Sequence, residues 1–187
     1  MARTLSTMKA LGTFAPAFSL PDTVSGKEIS LSDIKGDVAT VIMFICNHCP
    51  FVLHVNEGMV SMSNDYSTRG IGFVAISAND VVTHPDDSPE KMKETALQHH
   101  YPFPYLYDET QEVARAFDAA CTPDFFIYNK NLELVYRGQL DDSRPGNGIA
   151  VSGNDMRKAL DHLLNNEPVP EEQRPSIGCN IKWRSNE

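Results

Sequence analysis

The chain is short of positive charge, of cysteine and of long apolar runs. Lysine and arginine number 16 against 25 aspartates and glutamates, giving a formal net charge of −9 and a pI near 5.1. That balance disfavours nucleic acid and anionic membranes as partners, because a negative surface repels polyanions. No apolar run reaches the roughly 18 residues a membrane-spanning helix needs. The first 20 residues carry no basic stretch followed by an apolar core, so no secretory signal is read and a cytoplasmic location is expected. Only four cysteines occur in 187 residues. A chain of that length buries a full core without disulfide staples, which excludes a disulfide-built scaffold. Internal repeats and low-complexity tracts are absent as well.

Against that background, two of the four cysteines stand three apart, as Cys46-Asn47-His48-Cys49, at the end of the apolar run VATVIMFI. The run is almost wholly apolar and β-branched, the pattern of a central strand buried on both faces. Ahead of it, FSLPDTVSGKEISLSDIKG reads as a β-hairpin around Ser25-Gly26, followed by a short turn capped by Ser32 and Asp33. From Pro50 the period changes. Val52, Val55, Met59, Met62 and Tyr66 step by three and four, which predicts an amphipathic helix ending near Arg69-Gly70.

IGFVAIS is a second buried strand, and Ser88-Pro89-Glu90 opens a helix running to about His99. Asp108 and Gln111 have capping-box spacing, predicting a helix through Phe117. DFFIYNKNLELVYRG is a hairpin around Asn129-Lys130-Asn131, and Met156, Leu160, Leu163 and Leu164 mark a last helix face. Strands and helices alternate first and a hairpin comes late. The expected fold is therefore α/β, one domain over residues 1–187 with a central mixed β-sheet flanked by helices and an N-terminal β-hairpin extension. Its core spans about 15–166, and the tail, 167–187, docks through Ile177, Gly178, Ile181 and Trp183.

The chemistry of the cysteine pair follows from its placement. A helix N-terminus presents unpaired N–H groups and the positive end of a dipole, so a thiolate there is stabilised. Cys46 is expected to be the exposed attacking thiolate, with Cys49 deeper and resolving the mixed disulfide. Protonated His48 would add a favourable charge. Zinc is the rival ligand, but structural zinc calls for a second Cys-x-x-Cys or paired histidines. Cys121 and Cys179 stand single and far apart, so no metal is expected. Thr122-Pro123 precedes a strand, where a residue without an N–H fits, and X-Pro is where cis peptides occur.

Strand, Cys-x-x-Cys, helix and a distant Thr-Pro before a hairpin together resemble the thioredoxin fold. More narrowly, FICNHCPFV, PYLYDETQEVARAF, TPDFF and IGCNIKW resemble the peroxiredoxin-like branch of thioredoxin-fold proteins, the group related to alkyl hydroperoxide reductase and TlpA. The resemblance implies that Cys46 and Cys49 are the redox pair and that Pro123 is a cis-proline facing them, with Thr122-Pro123 presenting backbone to the substrate. It implies a thiol–disulfide oxidoreductase acting on protein or small-molecule disulfides and thiols, recycled by an electron donor and needing no cofactor. A histidine before the second cysteine recurs in the more oxidising relatives, so a reduction potential between about −270 and about −120 mV is expected.

Departures from the family's patterns shape the alternatives. The strand before the motif has no buried acid, so the proton acceptor for Cys49 is unidentified. Neither cysteine is preceded by the proline and hydroxyl of a dedicated peroxidase, which disfavours a thiol peroxidase. A non-catalytic, redox-sensing binding module is the third reading. Cys121 reads as a small buried hydrophobe or a further redox thiol, and Cys179 as a third redox thiol or part of the docking tail. A Cys121–Cys179 disulfide stays open. Arg144 could touch a substrate, Asn79-Asp80 reads as a polar turn, and DDSPE as a solvated acidic stretch. The oligomer is left open, a homodimer being one option.

Overall fold

The computed structural model describes residues 3–185. In chain order its elements are β1 (Arg3–Leu5), β2 (Ser19–Pro21), β3 (Glu28–Ser30), α1 (Leu31–Ile34), β4 (Ala39–Phe44), α2 (Pro50–Ser67), β5 (Ile71–Ser77), α3 (Pro89–Gln98), β6 (Tyr105–Tyr107), α4 (Glu112–Ala116), β7 (Cys121–Thr122), β8 (Asp124–Asn129), β9 (Leu134–Gly138), α5 (Asn154–Leu164) and β10 (Ile177–Asn180). A five-stranded sheet runs β6-β5-β4-β8-β9. β4, β5 and β6 are parallel, while β8 and β9 add antiparallel strands. This is the mixed sheet of a thioredoxin-like fold.

The two-residue period of β4 divides the core in two. Val41 and Met43 face one side, where they join Val52, Val55, Met59 and Met62 of α2, Met92 of α3 and Met156 and Leu160 of α5. Ile42 and Phe44 face the other side, against Leu31 and Ile34 of α1, Ala114 of α4 and Phe117 just after it. Every residue of β4 is buried. That is why the strand carries no polar alternation.

The N-terminal hairpin forms as β2 and β3, but Ser30 rather than Ser32 starts α1, its amide donating to the Asp33 carboxylate at 2.8 Å. Gln111 does not close a capping box with Asp108. Its own backbone is left-handed, and its side chain donates to the Ala78 and Lys182 carbonyls at 2.6 and 2.9 Å. Asp108 instead accepts from the Ala114 amide at 2.8 Å.

Four short strands were not expected from the sequence: β1, β6, β7 and β10. β1, β10 and β7 make a separate antiparallel sheet that brings both chain ends beside the main one. The tail therefore docks as a strand. Ile181 is buried, and Trp183 lies under the Arg115 guanidinium at 4.3 Å. Asn79, Asp80 and Gln111 hold the backbone of Lys182 and Arg184 with bonds of 2.8–2.9 Å.

Candidate active site

The site forms where β4 hands over to α2. The Ile45 amide still donates to Ile76 at 3.0 Å, keeping the chain in the sheet up to the motif. Cys49 is the N-cap of α2 and Pro50 its first residue, a position where the missing N–H costs nothing. The Leu53 amide donates to the Cys49 carbonyl at 3.0 Å, closing the first turn. Thr122-Pro123 is cis and lies against the pair. Cys46 Sγ is 3.3 Å from the Thr122 hydroxyl, and Cys49 Sγ is 3.1 Å from the Thr122 carbonyl. Every residue the sequence pointed to in the motif and at the Thr-Pro step therefore converges.

Two expectations about the sulfurs need correction. Cys46 is not exposed: it is 2% accessible and Cys49 0%. Nor does Cys46 hold the charge. Its thiol donates to Cys49, and that hydrogen bond, burial and the nearby Asp87 charge all push Cys46 upward. Cys49 is lowered to about 5, first by the hydrogen bond from Cys46, then, against the cost of burial, by bonds from the Cys179 thiol and the Val52 amide. The physical reason is register. Cys49 is the N-cap residue of α2, close enough to the Val52 amide of the first turn for that group to help lower it. The contact between the two thiols thus pushes Cys46 upward and Cys49 downward.

The Asn47-His48 dipeptide is clamped by the loop before α3. Asp87 accepts from the Asn47 amide and Asn79 Nδ2, each at 2.8 Å, and its carboxylate makes an ion-pair contact of 2.8 Å with His48 Nδ1. Asn47 Nδ2 donates to the Asp86 carbonyl at 2.9 Å, and the Tyr105 hydroxyl donates to Asn47 Oδ1 at 3.1 Å. DDSPE is thus not wholly solvated: Asp87 is fully buried. Burial pushes its carboxyl upward, but the donors from His48, Asn79 and Asn47 outweigh that and hold it below the ordinary range. Asp87 in turn raises His48. The His48 ring also stacks on His84, with centroids 5.4 Å apart. The sequence showed the acidic run, but nothing local marked which of its members turns inward.

The other cysteines separate. β10 pairs with β7 so that Cys179 opposes Thr122 and Asn180 opposes Cys121. Paired residues share a face and successive ones alternate, so Cys179 faces the motif and Cys121 faces away. A Cys121–Cys179 disulfide is therefore excluded by register. Cys179 Sγ lies 2.8 Å from Cys49 Sγ. Cys121 is fully buried, its thiol is raised by burial, and its sulfur is 3.5 Å from the Pro123 carbonyl. Arg144 turns onto its own loop, bonding Gln139 and the Asp141 and Ser143 carbonyls.

Below the motif, Asp124 of β8 opposes Phe44 and pairs with Arg137 at 3.1 Å, both fully buried. Cys46, His48 and Asp87 each place a donor atom within 4.8 Å of the others, a set that could hold a metal ion. A metal there would have to displace hydrogen bonds already made to the Asp87 carboxylate.

Fold and site together define a thioredoxin-like protein with two adjacent buried thiols at a strand-to-helix junction. A family model described as the AhpC/TSA family matches residues 11–137, and the chain belongs to that family. The match includes Cys46, Cys49, Thr122 and Pro123 but ends before Cys179. Among solved structures, an uncharacterized conserved protein from Geobacillus kaustophilus is 58% identical, covering 100% of this chain and 99% of that one, with a TM-score of 0.98. A hypothetical protein from Sinorhizobium meliloti is 44% identical, covering 98% and 100%, with a TM-score of 0.95. The thioredoxin domain of a thiol-disulfide oxidoreductase from Bacteroides vulgatus is 18% identical over 69% and 88%, with a TM-score of 0.59, a likeness of fold. A search of the curated proteins gives no match. No helix among the described residues is long and apolar enough to cross a membrane.

Proposed function

We propose that the protein is a thiol–disulfide oxidoreductase whose working couple is Cys46 and Cys49. The observation that carries this reading is the placing of two buried thiols at a strand-to-helix junction, both against the cis Thr122-Pro123 step. As Cys46 attacks a substrate disulfide, its proton passes along the existing hydrogen bond to Cys49. Cys49 is thus the base, which supplies the acceptor that β4 lacks. A Cys46–substrate disulfide forms and one substrate thiolate leaves. Cys49 then attacks the Cys46 sulfur, giving the Cys46–Cys49 disulfide and releasing the second substrate sulfur, which takes the proton from Cys49. Protein or small-molecule disulfides are the substrates, and a dithiol donor returns the couple to its reduced form. The reading takes the cytoplasm as its setting, where a reducing pool keeps such a cluster reduced between turnovers.

A thiol peroxidase is the second reading, favoured by one contact. The strand before the motif supplies no hydroxyl, but Thr122 brings one to 3.3 Å from Cys46. The AhpC/TSA family match also fits this reading.

The test is to react the reduced chain with oxidised glutathione and, separately, with hydrogen peroxide, following Cys46–Cys49 formation by mass. A fast disulfide reaction, with peroxide no faster than it is with free cysteine, supports the oxidoreductase. Peroxide as the faster partner makes the protein a peroxidase. The Cys49→Ser variant should hold glutathione on Cys46; a chain that traps nothing there counts against this order of attack.

A further inference from the structure

We propose that Cys179 is a third redox thiol of this centre, and that the Cys46–Cys49 disulfide rearranges into a Cys49–Cys179 disulfide. The inference rests on the dithiol reading above and extends it. Three observations carry it. Cys49 Sγ stands 2.8 Å from Cys179 Sγ while also accepting from the Cys46 thiol. The central sulfur is therefore in contact with two candidate partners. The β7–β10 register turns Cys179 and Thr122 to one face, so the contact is built by strand pairing rather than by a loose tail. The tail is anchored on both sides of Cys179: Ser176 Oγ donates to the Pro123 carbonyl at 2.6 Å, and Asn79 Oδ1 accepts from the Lys182 amide at 2.9 Å.

The step balances without an outside oxidant. The Cys179 sulfur attacks the Cys49 sulfur of the Cys46–Cys49 disulfide. A Cys49–Cys179 bond forms, the Cys46–Cys49 bond breaks, and the electron pair leaves on Cys46. The proton given up by Cys179 ends on Cys46, beside the Thr122 hydroxyl. One disulfide exists before and one after, so the chain's oxidation state is unchanged. In the reduced protein the Cys179 thiol is held up at about 12 by burial, by its hydrogen bond to Cys49 and by the Cys49 charge. Oxidation of Cys49 removes the last two of these. The product fastens the C-terminal strand covalently to the start of α2 and returns Cys46 to the thiol form. Cys121 takes no part, because it faces the other side of β7.

The test uses the full-length chain. Reduced wild-type protein is given one equivalent of oxidised glutathione, remaining thiols are alkylated after increasing delays, and disulfide-linked peptides are mapped by mass. The expected result is a Cys46–Cys49 peptide that declines as a Cys49–Cys179 peptide grows. Cys46→Ser should form the Cys49–Cys179 bridge alone, and Cys179→Ser should lose it completely. The proposal is overturned if the wild-type chain shows only Cys46–Cys49 at every delay while Cys46→Ser keeps glutathione on Cys49. It is also overturned if Cys49–Cys179 forms with no Cys46–Cys49 stage. The two readings fail separately: a Cys179→Ser chain that makes no Cys46–Cys49 bridge sinks the dithiol couple itself.

Discussion

His48 Nδ1 stands 2.8 Å from the Asp87 carboxylate, joining the middle of the Cys-x-x-Cys motif to the loop ahead of α3. Asp87 is fully buried and His48 half-buried, so the contact is shielded from water on one side. The same carboxylate takes the Asn47 amide, so a single acid positions both residues between the cysteines. Its charge also acts on Cys46, helping to push that thiol upward.

Asp87→Asn should lower the His48 pKa, measured by NMR titration of the imidazole, because the largest cause of its rise is the hydrogen bond to Asp87. The stability effect has a defined window. His48 is raised on folding, so its contribution is full below its ordinary value of about 6.5 and is lost as pH rises through the folded value. Asp87 is lowered, so its contribution is full above its ordinary value of about 3.9 and is lost as pH falls through the folded value. The gap in Tm between wild type and variant should be widest between about pH 4 and pH 6.5. A gap that stays constant with pH would contradict the pairing.

Reduced protein should show thiolate absorbance with an apparent pKa of about 5, and Cys49→Ser should abolish it. Cys46→Ala removes the strongest donor to Cys49 and should move the titration upward. Cys49 is lowered on folding, so its stabilisation of the reduced state is full above the ordinary thiol value of about 8.5 and fades as pH falls through 5. The charge assignment is wrong if Cys46→Ala leaves the titration in place.

Gly178→Ala should destabilise the protein by about 1–3 kcal/mol, the usual cost of overpacking. A Cβ at residue 178 would lie 2.0 Å from the Thr122 carbonyl oxygen, which is backbone and cannot swing aside. β10 must shift away from β7, carrying Cys179 with it. Chemical denaturation measures the first effect. The Val52 and Cys49 amide resonances in NMR report the second, and an unchanged site would show that β10 tolerates the methyl.

Arg137→Met should cost about 3–5 kcal/mol, because it leaves Asp124 buried without its cation. Burial already raises Asp124, and Arg137 opposes that rise. Without the arginine the carboxyl protonates more readily. A carboxyl with a raised folded pKa loses stability as pH climbs from its ordinary value through the folded one. The deficit of the variant should therefore shrink on acidification, followed by denaturant midpoints across pH. A deficit independent of pH would mean that the loss is one of packing alone.

The sequence by itself determined the parts governed by local pattern. The almost wholly apolar run of β4, the three-and-four stepping of α2, the turn residues of the β8–β9 hairpin and the Pro at the start of α2 are each written within a few residues. So are the Cys-x-x-Cys motif and the Thr-Pro step. The four short strands were not legible, because runs of two to four residues carry no period; pairing partners far along the chain create them.

Charge placement was decided by tertiary structure for the same reason. Asp87 reads like its acidic neighbours until the fold buries it against Asn47 and His48. The sequence pointed to Cys46 as the thiolate, from its place at the end of the strand. The hydrogen bond from Cys46, with smaller contributions from the Cys179 thiol and the Val52 amide, lowers Cys49 instead. Cys121 and Cys179 differ in sequence only by position. Strand register, which is set across the sheet rather than along the chain, turns Cys179 toward Cys49 and Cys121 away.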